Sequence, residues 1–227
     1  MFFRSWLSRR VIIPVALLVF LCFVYPEHES RHVKLSAVTP QNILRLLNVC
    51  DKIGGGYPAT ADKPATFSVC ALDNVVYWRA GMTVDCDGMV TMPCNRSTDP
   101  DFMDDTSLHD SRDKPLNAAF LPYVVVPVPS KYWDFRKEGI RLGAPVVVIF
   151  NRHMACGILG DEGTMGEASY AMAKELGIDP NPYTGGTSSK MTYITFPGIN
   201  VFPPEDHVKA VHVCISRLVQ FIQSRNR

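Results

Sequence analysis

The sequence predicts a mainly β domain, a compact β-barrel with helices on its periphery. Short runs rich in β-branched and aromatic residues recur at 67–72, 75–78, 118–128, 146–150 and 191–196, bounded by glycine, proline or Asx residues. Helical periodicity is confined to stretches beginning near residues 40, 167 and 204. With 227 residues, 47% of them hydrophobic, the chain can bury one sizeable core, and nothing in it calls for a second.

In chain order, residues 1–26 carry Arg4, Arg9 and Arg10 ahead of the apolar run 11–25. That run suits a signal peptide or an uncleaved signal anchor, since no small-x-small cleavage site follows it. The domain is therefore expected to be exported, either secreted or held on the outer side of the membrane through residues 11–25. Residues 27–38 read as a tether, and 39–227 as the folded domain.

Thr39 and Pro40 give an N-cap and a proline at the first helical position, with Ile43, Leu44 and Leu47 at helical spacing. Gly54, Gly55 and Gly56 read as a loop without the Lys-Ser/Thr of a phosphate cradle. Asp73 and Asn74 separate two β-rich runs as a tight hairpin. The near-continuous apolar runs 118–128 and 146–150 suit strands covered on both faces.

A strand at 155–159 then leads into Gly160 and Asp161, turns through Gly163 and Gly166, and gives way to a helix starting at Glu167 and stopping at Gly177. Residues 180–189 are a turn-rich loop. The C-terminal amphipathic helix carries Val208, Val211, Ile215, Leu218, Val219 and Ile222.

The whole chain has a formal net charge of +1, and removing residues 1–26 leaves 20 − 22 = −2. A near-neutral domain is not a nucleic-acid binder on charge grounds. Six cysteines remain, Cys50, Cys70, Cys86, Cys94, Cys156 and Cys214. In an exported domain these point to disulfides, with fifteen pairings open; Cys86 with Cys94, which closes a short loop, comes first. Cys156 also reads as a small buried apolar residue. No CxxC spacing suggests structural zinc, and His153 and Cys156 would face opposite sides of an extended segment, against a Cys-His dyad. No metal and no cofactor are expected, and the domain is expected to be a monomer.

The stretch GDEGTMGEAS at 160–169 stands out as a site. It places Asp161 and Glu167 at one turn, and three glycines allow unusual backbone or the close approach of another molecule. A Glu in the first turn of a helix is equally well explained as a cap. In MTVDCDG at 82–88, Asp85 and Asp87 alternate around Cys86 and would share one face of a strand. A turn held by aspartate side chains is the competing explanation. Tyr123 could line a subsite or belong to the core. Residues 99–113 form an acidic loop, a kind of run that is usually solvated surface.

Those two strings, with PYVVVP at 122–127, VVVIFN at 146–151 and TYITFPG at 192–198, resemble the fungal-type chitosanases of glycoside hydrolase family 75, in that family's order. The resemblance implies a six-stranded, double-psi-like barrel and endo-acting, inverting cleavage of β-1,4 linkages in chitosan, a cationic amino-sugar polysaccharide. It also implies Asp161 and Glu167 as the acid–base pair, with Asp85 and Asp87 beside the cleft. With Glu162 they would form an acidic field for the amines of the substrate. Inversion requires the two catalytic groups to stand roughly 6.5–9.5 Å apart. With Glu167 at a helix start and Asp161 at the end of an apolar strand, the expected split is Asp161 as acid and Glu167 as base. The turn between them is shorter than in the fungal enzymes. Two alternatives stand beside this reading: a hydrolase of another amino-sugar glycan, and a non-catalytic glycan-binding or interaction module.

Overall fold

The structure is a computed structural model that describes residues 35–58 and 65–226. The expected export segment and the first part of the tether lie outside the described residues. In the described part of that stretch, Leu35–Ala37 forms a 3-10 turn and Val38 packs against the core.

Among the described residues eight strands follow, β1 (Asp51–Pro58), β2 (Ala65–Leu72), β3 (Val75–Asp85), β4 (Tyr123–Pro127), β5 (Pro145–Phe150), β6 (His153–Gly163), β7 (Glu167–Ser169) and β8 (Thr187–Thr195). Hydrogen bonding runs β3-β7-β4-β6-β5-β8 and returns from β8 to β3, so six strands close on themselves. The expected six-stranded barrel is thus present. It is mixed: β3/β7 and β4/β6 pair parallel, and the other four pairs run antiparallel. Closure leaves no exposed edge within the ring.

Side-chain alternation sorts the core into an inside and two outer layers. Val76, Trp78, Ala80 and Met82 of β3, Val124 and Val126 of β4, and Leu159 of β6 fill the interior. The intervening Val75, Tyr77, Val147 and Cys156 face outward, under the helices α1 (Pro40–Leu46) and α3 (His207–Arg225). Tyr123, Val125 and Ile158 face a third cluster, roofed by segment 86–121.

The predicted N-cap forms, with Thr39 accepting from the Asn42 N–H at 3.2 Å. The hairpin turn at Asp73 and Asn74 forms as expected, with Asp73 at φ +50°. Four expectations are corrected. Gly54, Gly55 and Gly56 lie in β1, which pairs with β2 beside the Cys50–Cys70 disulfide. The strand expected over 118–128 is confined to Tyr123–Pro127, because residues 118–120 turn. Glu167 is in strand β7, and the helix α2 (Tyr170–Glu175) starts only after it, capped by the Ser169 hydroxyl. The inward face of α3 keeps Leu218 and Ile222 of the expected series, with Val211 and Ile215 packed against the core, and adds Ala210, Cys214 and Phe221; Val208 of that series is instead 66% exposed.

The expected Cys86–Cys94 bridge forms. Cys156 and Cys214 are free and buried, so the even set makes two bridges and not three.

The two faces of α3 differ measurably. Phe221→Ala empties a fully buried site and should lower unfolding free energy by about 3–5 kcal/mol. Val208→Ala should change it by under about 0.5 kcal/mol. Urea denaturation of both variants checks this, and comparable losses would contradict the packing described.

Candidate active site

The site grows out of an irregularity in β6. Along β4 and β6, Val124 pairs with Leu159, but Val125 pairs with Asp161, so Gly160 is one residue too many. Such a bulge changes the direction of the side chain that follows. Strict alternation after inward Leu159 would send Asp161 into the barrel; the bulge turns it outward, level with Val125. Gly160 makes this possible by its lack of a side chain. A Cβ there would lie 2.7 Å from Tyr123 Cβ and Cγ and 2.8 Å from Leu116 Cδ1. Of the three glycines singled out in the sequence, only Gly166 has a positive φ, +99°. Gly160 is required for closeness, whereas at Gly163 a Cβ would only crowd the side-chain ends of Val125 and Glu167 at 3.0 and 3.2 Å.

Glu167 reaches the same face by another route. In the antiparallel β4/β7 pair Val124 stands opposite Ala168, which puts Val125 opposite Glu167. Ala168 points into the barrel core, so Glu167 points out. Asp161, Val125 and Glu167 therefore form one row across three strands, with the valine between the two carboxylates. Two strand spacings of ~4.8 Å separate the backbone positions, about 9–10 Å in all. Glu167 Oε2 accepts from the Thr164 N–H at 3.0 Å.

Asp85 stands in the next row, paired with Ser169 in the parallel β3/β7 ladder. Its Oδ1 accepts from the Asp87 N–H at 2.8 Å, and Asp87 Oδ1 accepts from the Met103 N–H at 2.7 Å. Tyr123 is fully buried beneath them and donates to the Asp87 carbonyl at 3.0 Å. Burial first, then the charges of Asp85, Asp161 and Asp87, keep its phenol protonated. It supports the floor of the site and lines no open subsite. Glu162 alternates away from Asp161, level with inward Val126, and is not among the charges acting on the other carboxylates. The structure thus assembles Asp85, Asp87, Asp161 and Glu167 and leaves Glu162 aside.

Asp161 is only 6% exposed. Its Oδ1 accepts from the Ser107 N–H at 2.8 Å, the Ser107 hydroxyl at 2.5 Å and the Glu162 N–H at 2.7 Å. Ser107 was not anticipated. It belongs to the acidic loop, which is more than solvated surface: Leu108 N–H donates to the Gly160 carbonyl at 3.2 Å, and Asp99 and Asp110 are buried. Nothing in the local sequence marks Ser107, because its partner is 54 residues away.

The dominant electrostatic feature is negative charge, with no cation acting on these carboxylates among the described residues. Burial, with smaller contributions from Asp87, Asp161 and Glu167, pushes Asp85 up to about 8. Burial likewise raises Asp87 to about 6, helped by Asp161, Asp99 and Glu167. Glu167 is raised by burial, and further by Asp161 and Asp101. The expected helix-dipole stabilisation of an ionised Glu167 is absent, since Glu167 precedes the helix by a full strand. Among the described residues no three His, Cys, Asp or Glu side chains converge as a metal-ligand set.

Asp85 makes stability depend on pH. Its pKa rises from 3.8 unfolded to about 8 folded, so the stability it allows is full below about pH 4 and is lost as pH rises towards 8. Thermal unfolding temperature should fall over that window, and Asp85→Asn should flatten the fall. An unchanged pH profile in the variant would refute the burial described.

Residues 82–224 match the family model described as fungal chitosanase of glycosyl hydrolase group 75, a span that takes in all four clustered carboxylates. The chain is also 33% identical over 126 residues to Endo-chitosanase C of Aspergillus oryzae, covering 52% of this chain and 30% of that protein. It therefore spans under a third of the length of that relative. With a family match over more than half its length, the chain belongs to the fungal chitosanases of glycosyl hydrolase group 75.

Proposed function

We propose that this domain is an endo-acting, inverting glycoside hydrolase that cleaves β-1,4 linkages in chitosan, with Glu167 as general acid and Asp161 as general base. The observation that carries the reading is the row Asp161, Val125, Glu167: two carboxylates on one outward face, two strands apart, with an apolar residue between them. With the backbone positions about 9–10 Å apart, carboxyl groups leaning toward each other over Val125 would stand within the roughly 6.5–9.5 Å that inverting glycosidases keep to admit a water. Family membership and the chitosanase name of the matched relative support the substrate.

The division of roles reverses the one expected from sequence. Glu167 has its protonated form favoured by burial, which suits a group that must give a proton to the leaving glycosidic oxygen. Asp161 is held by three donors on one oxygen, which fixes its other oxygen in place to take a proton from water. As that water attacks the anomeric carbon, the glycosidic bond breaks, Glu167 protonates the departing oxygen, and Asp161 holds the proton of the water until solvent removes it. Asp85 and Asp87 bind amines of the polymer: an arriving ammonium favours their ionised forms and offsets the mutual repulsion of the cluster. Ordered disulfides at Cys50–Cys70 and Cys86–Cys94 support action outside the cell.

A reducing-sugar assay on chitosan, chitin and peptidoglycan tests the reading. Turnover should be greatest on chitosan, should fall with added salt and acetylation, and should drop by at least about 100-fold in Glu167→Gln and in Asp161→Asn. Proton NMR of the first product should show the inverted anomer. Chitosan bound but not cleaved by the parent would favour the non-catalytic alternative, and preferential cleavage of peptidoglycan the other-glycan alternative.

The pH profile carries a separate test. Asp101 raises the pKa of Glu167, so Asp101→Asn lowers it, and the alkaline limb of the activity profile should move to lower pH. Movement in the opposite direction would exclude Glu167 as the acid.

A further inference from the structure

Beyond the carboxylate face lies a cavity of about 640 Å3. Pro93, Thr98, Pro100 and Tyr170 line it, and Asp179 and Tyr183 come from the loop after α2. Prolines and tyrosines offer flat apolar surfaces, and an exposed carboxylate at their margin offers a partner for an amine. A glucosamine ring presents that combination, with apolar C–H faces and a cationic substituent at its edge.

Tyr183 is 73% exposed, a large aromatic ring that the core does not use. The loop holding it is nevertheless tightly closed. Asn181 Oδ1 accepts from the Tyr183 and Thr184 N–H groups, and the Gly185 and Gly186 N–H groups donate back to the Asn181 and Asp179 carbonyls. At Gly185 a Cβ would come within 2.3 Å of the Asp179 carbonyl oxygen, so the closure depends on glycine. A ring held in solvent by a preset loop loses little freedom on stacking.

The cavity is continuous in sequence with the catalytic cluster at two places. Thr98 and Pro100 line it, while the alternate residues Asp99 and Asp101 act electrostatically on Asp87 and Glu167. Tyr170 follows β7 directly, three residues after Glu167, about 10 Å along an extended chain. The Cys86–Cys94 bridge anchors the wall at Pro93 to the segment that bears Asp85 and Asp87.

We infer that this cavity is a distal subsite that stacks a glucosamine unit of the polymer on Tyr183 and pairs its amine with Asp179, while the linkage to be cut lies between Asp161 and Glu167. The inference rests on the chitosan-cleaving reading and deepens it.

Calorimetric titration with glucosamine dimer and hexamer, in the Glu167→Gln variant so that neither is cleaved, tests it. Adding Tyr183→Ala should lower the hexamer-to-dimer affinity ratio by about fivefold, and Tyr183→Phe, which keeps the ring, should preserve it. Asp179→Asn should lower the ratio as well. An unchanged ratio in Tyr183→Ala, or a loss in Tyr183→Phe equal to that in Tyr183→Ala, overturns the subsite. In either case chitosan turnover by the parent would leave the broader reading standing. Failure of the parent both to bind hexamer and to cleave chitosan overturns the two together.

Discussion

The carboxylate face depends on one close contact, the backbone of Gly160 lying against the ring of Tyr123. That contact allows β6 to carry an extra residue while staying paired with β4, and the extra residue decides which way Asp161 points. Tyr123 in turn is fixed at both ends. Its N–H donates to the Ser169 hydroxyl at 2.9 Å, and its phenol donates to the carbonyl of Asp87. One buried tyrosine thereby ties together β4, β7 and the DCDG segment, which between them carry Glu167 and Asp87. The precision of the site comes from the barrel wall and only secondarily from loops.

The roof over this wall contributes in a complementary way. Segment 86–121 is pinned by the Cys86–Cys94 bridge, by Met89 N–H to the Leu116 carbonyl, and by Leu108 N–H to the Gly160 carbonyl. It delivers Ser107 to Asp161 from above while Val125 supports the pair from below. Asp105 and Asp113 flank His109 at 2.8 and 3.0 Å, and their carboxylates raise its pKa. That clamp closes the same loop just after Ser107, so an acidic stretch that reads as plain surface is built to hold one hydroxyl.

The parts of this structure that sequence reveals are those written in residue type and short spacing. The Thr39 cap, the turn at Asp73 and the Cys86–Cys94 loop each involve partners close in the chain. Asp85, Asp87, Asp161 and Glu167 are visible because acidic residues beside glycines in otherwise apolar strands are unusual there. What escapes notice is set by distant contacts. Glu167 reads as helical because AMAKEL behind it favours helix, yet pairing with β3 and β4 holds it extended. The inner face of α3 is read in part: Leu218 and Ile222 are buried as their spacing predicts, but small Ala210 and Cys214 let the helix approach β5 and β6, where hydrophobicity alone favours Val208. Gly54, Gly55 and Gly56 look like a loop, and only the β1/β2 ladder makes them a strand.

An outward wall crowded with acids, with no basic partner among the described residues, makes the domain a strained electrolyte. A polycation laid along it would act as counterion before it acted as substrate, relieving repulsion that the empty fold must otherwise bear. The gain is greatest where the acids are ionised while the polymer's amines still carry their protons; it vanishes in acid, where protons neutralise the wall, and in alkali, where the amines lose theirs. Occupancy and rigidity would then be coupled, a bound polycation firming the barrel as it completes the charge balance.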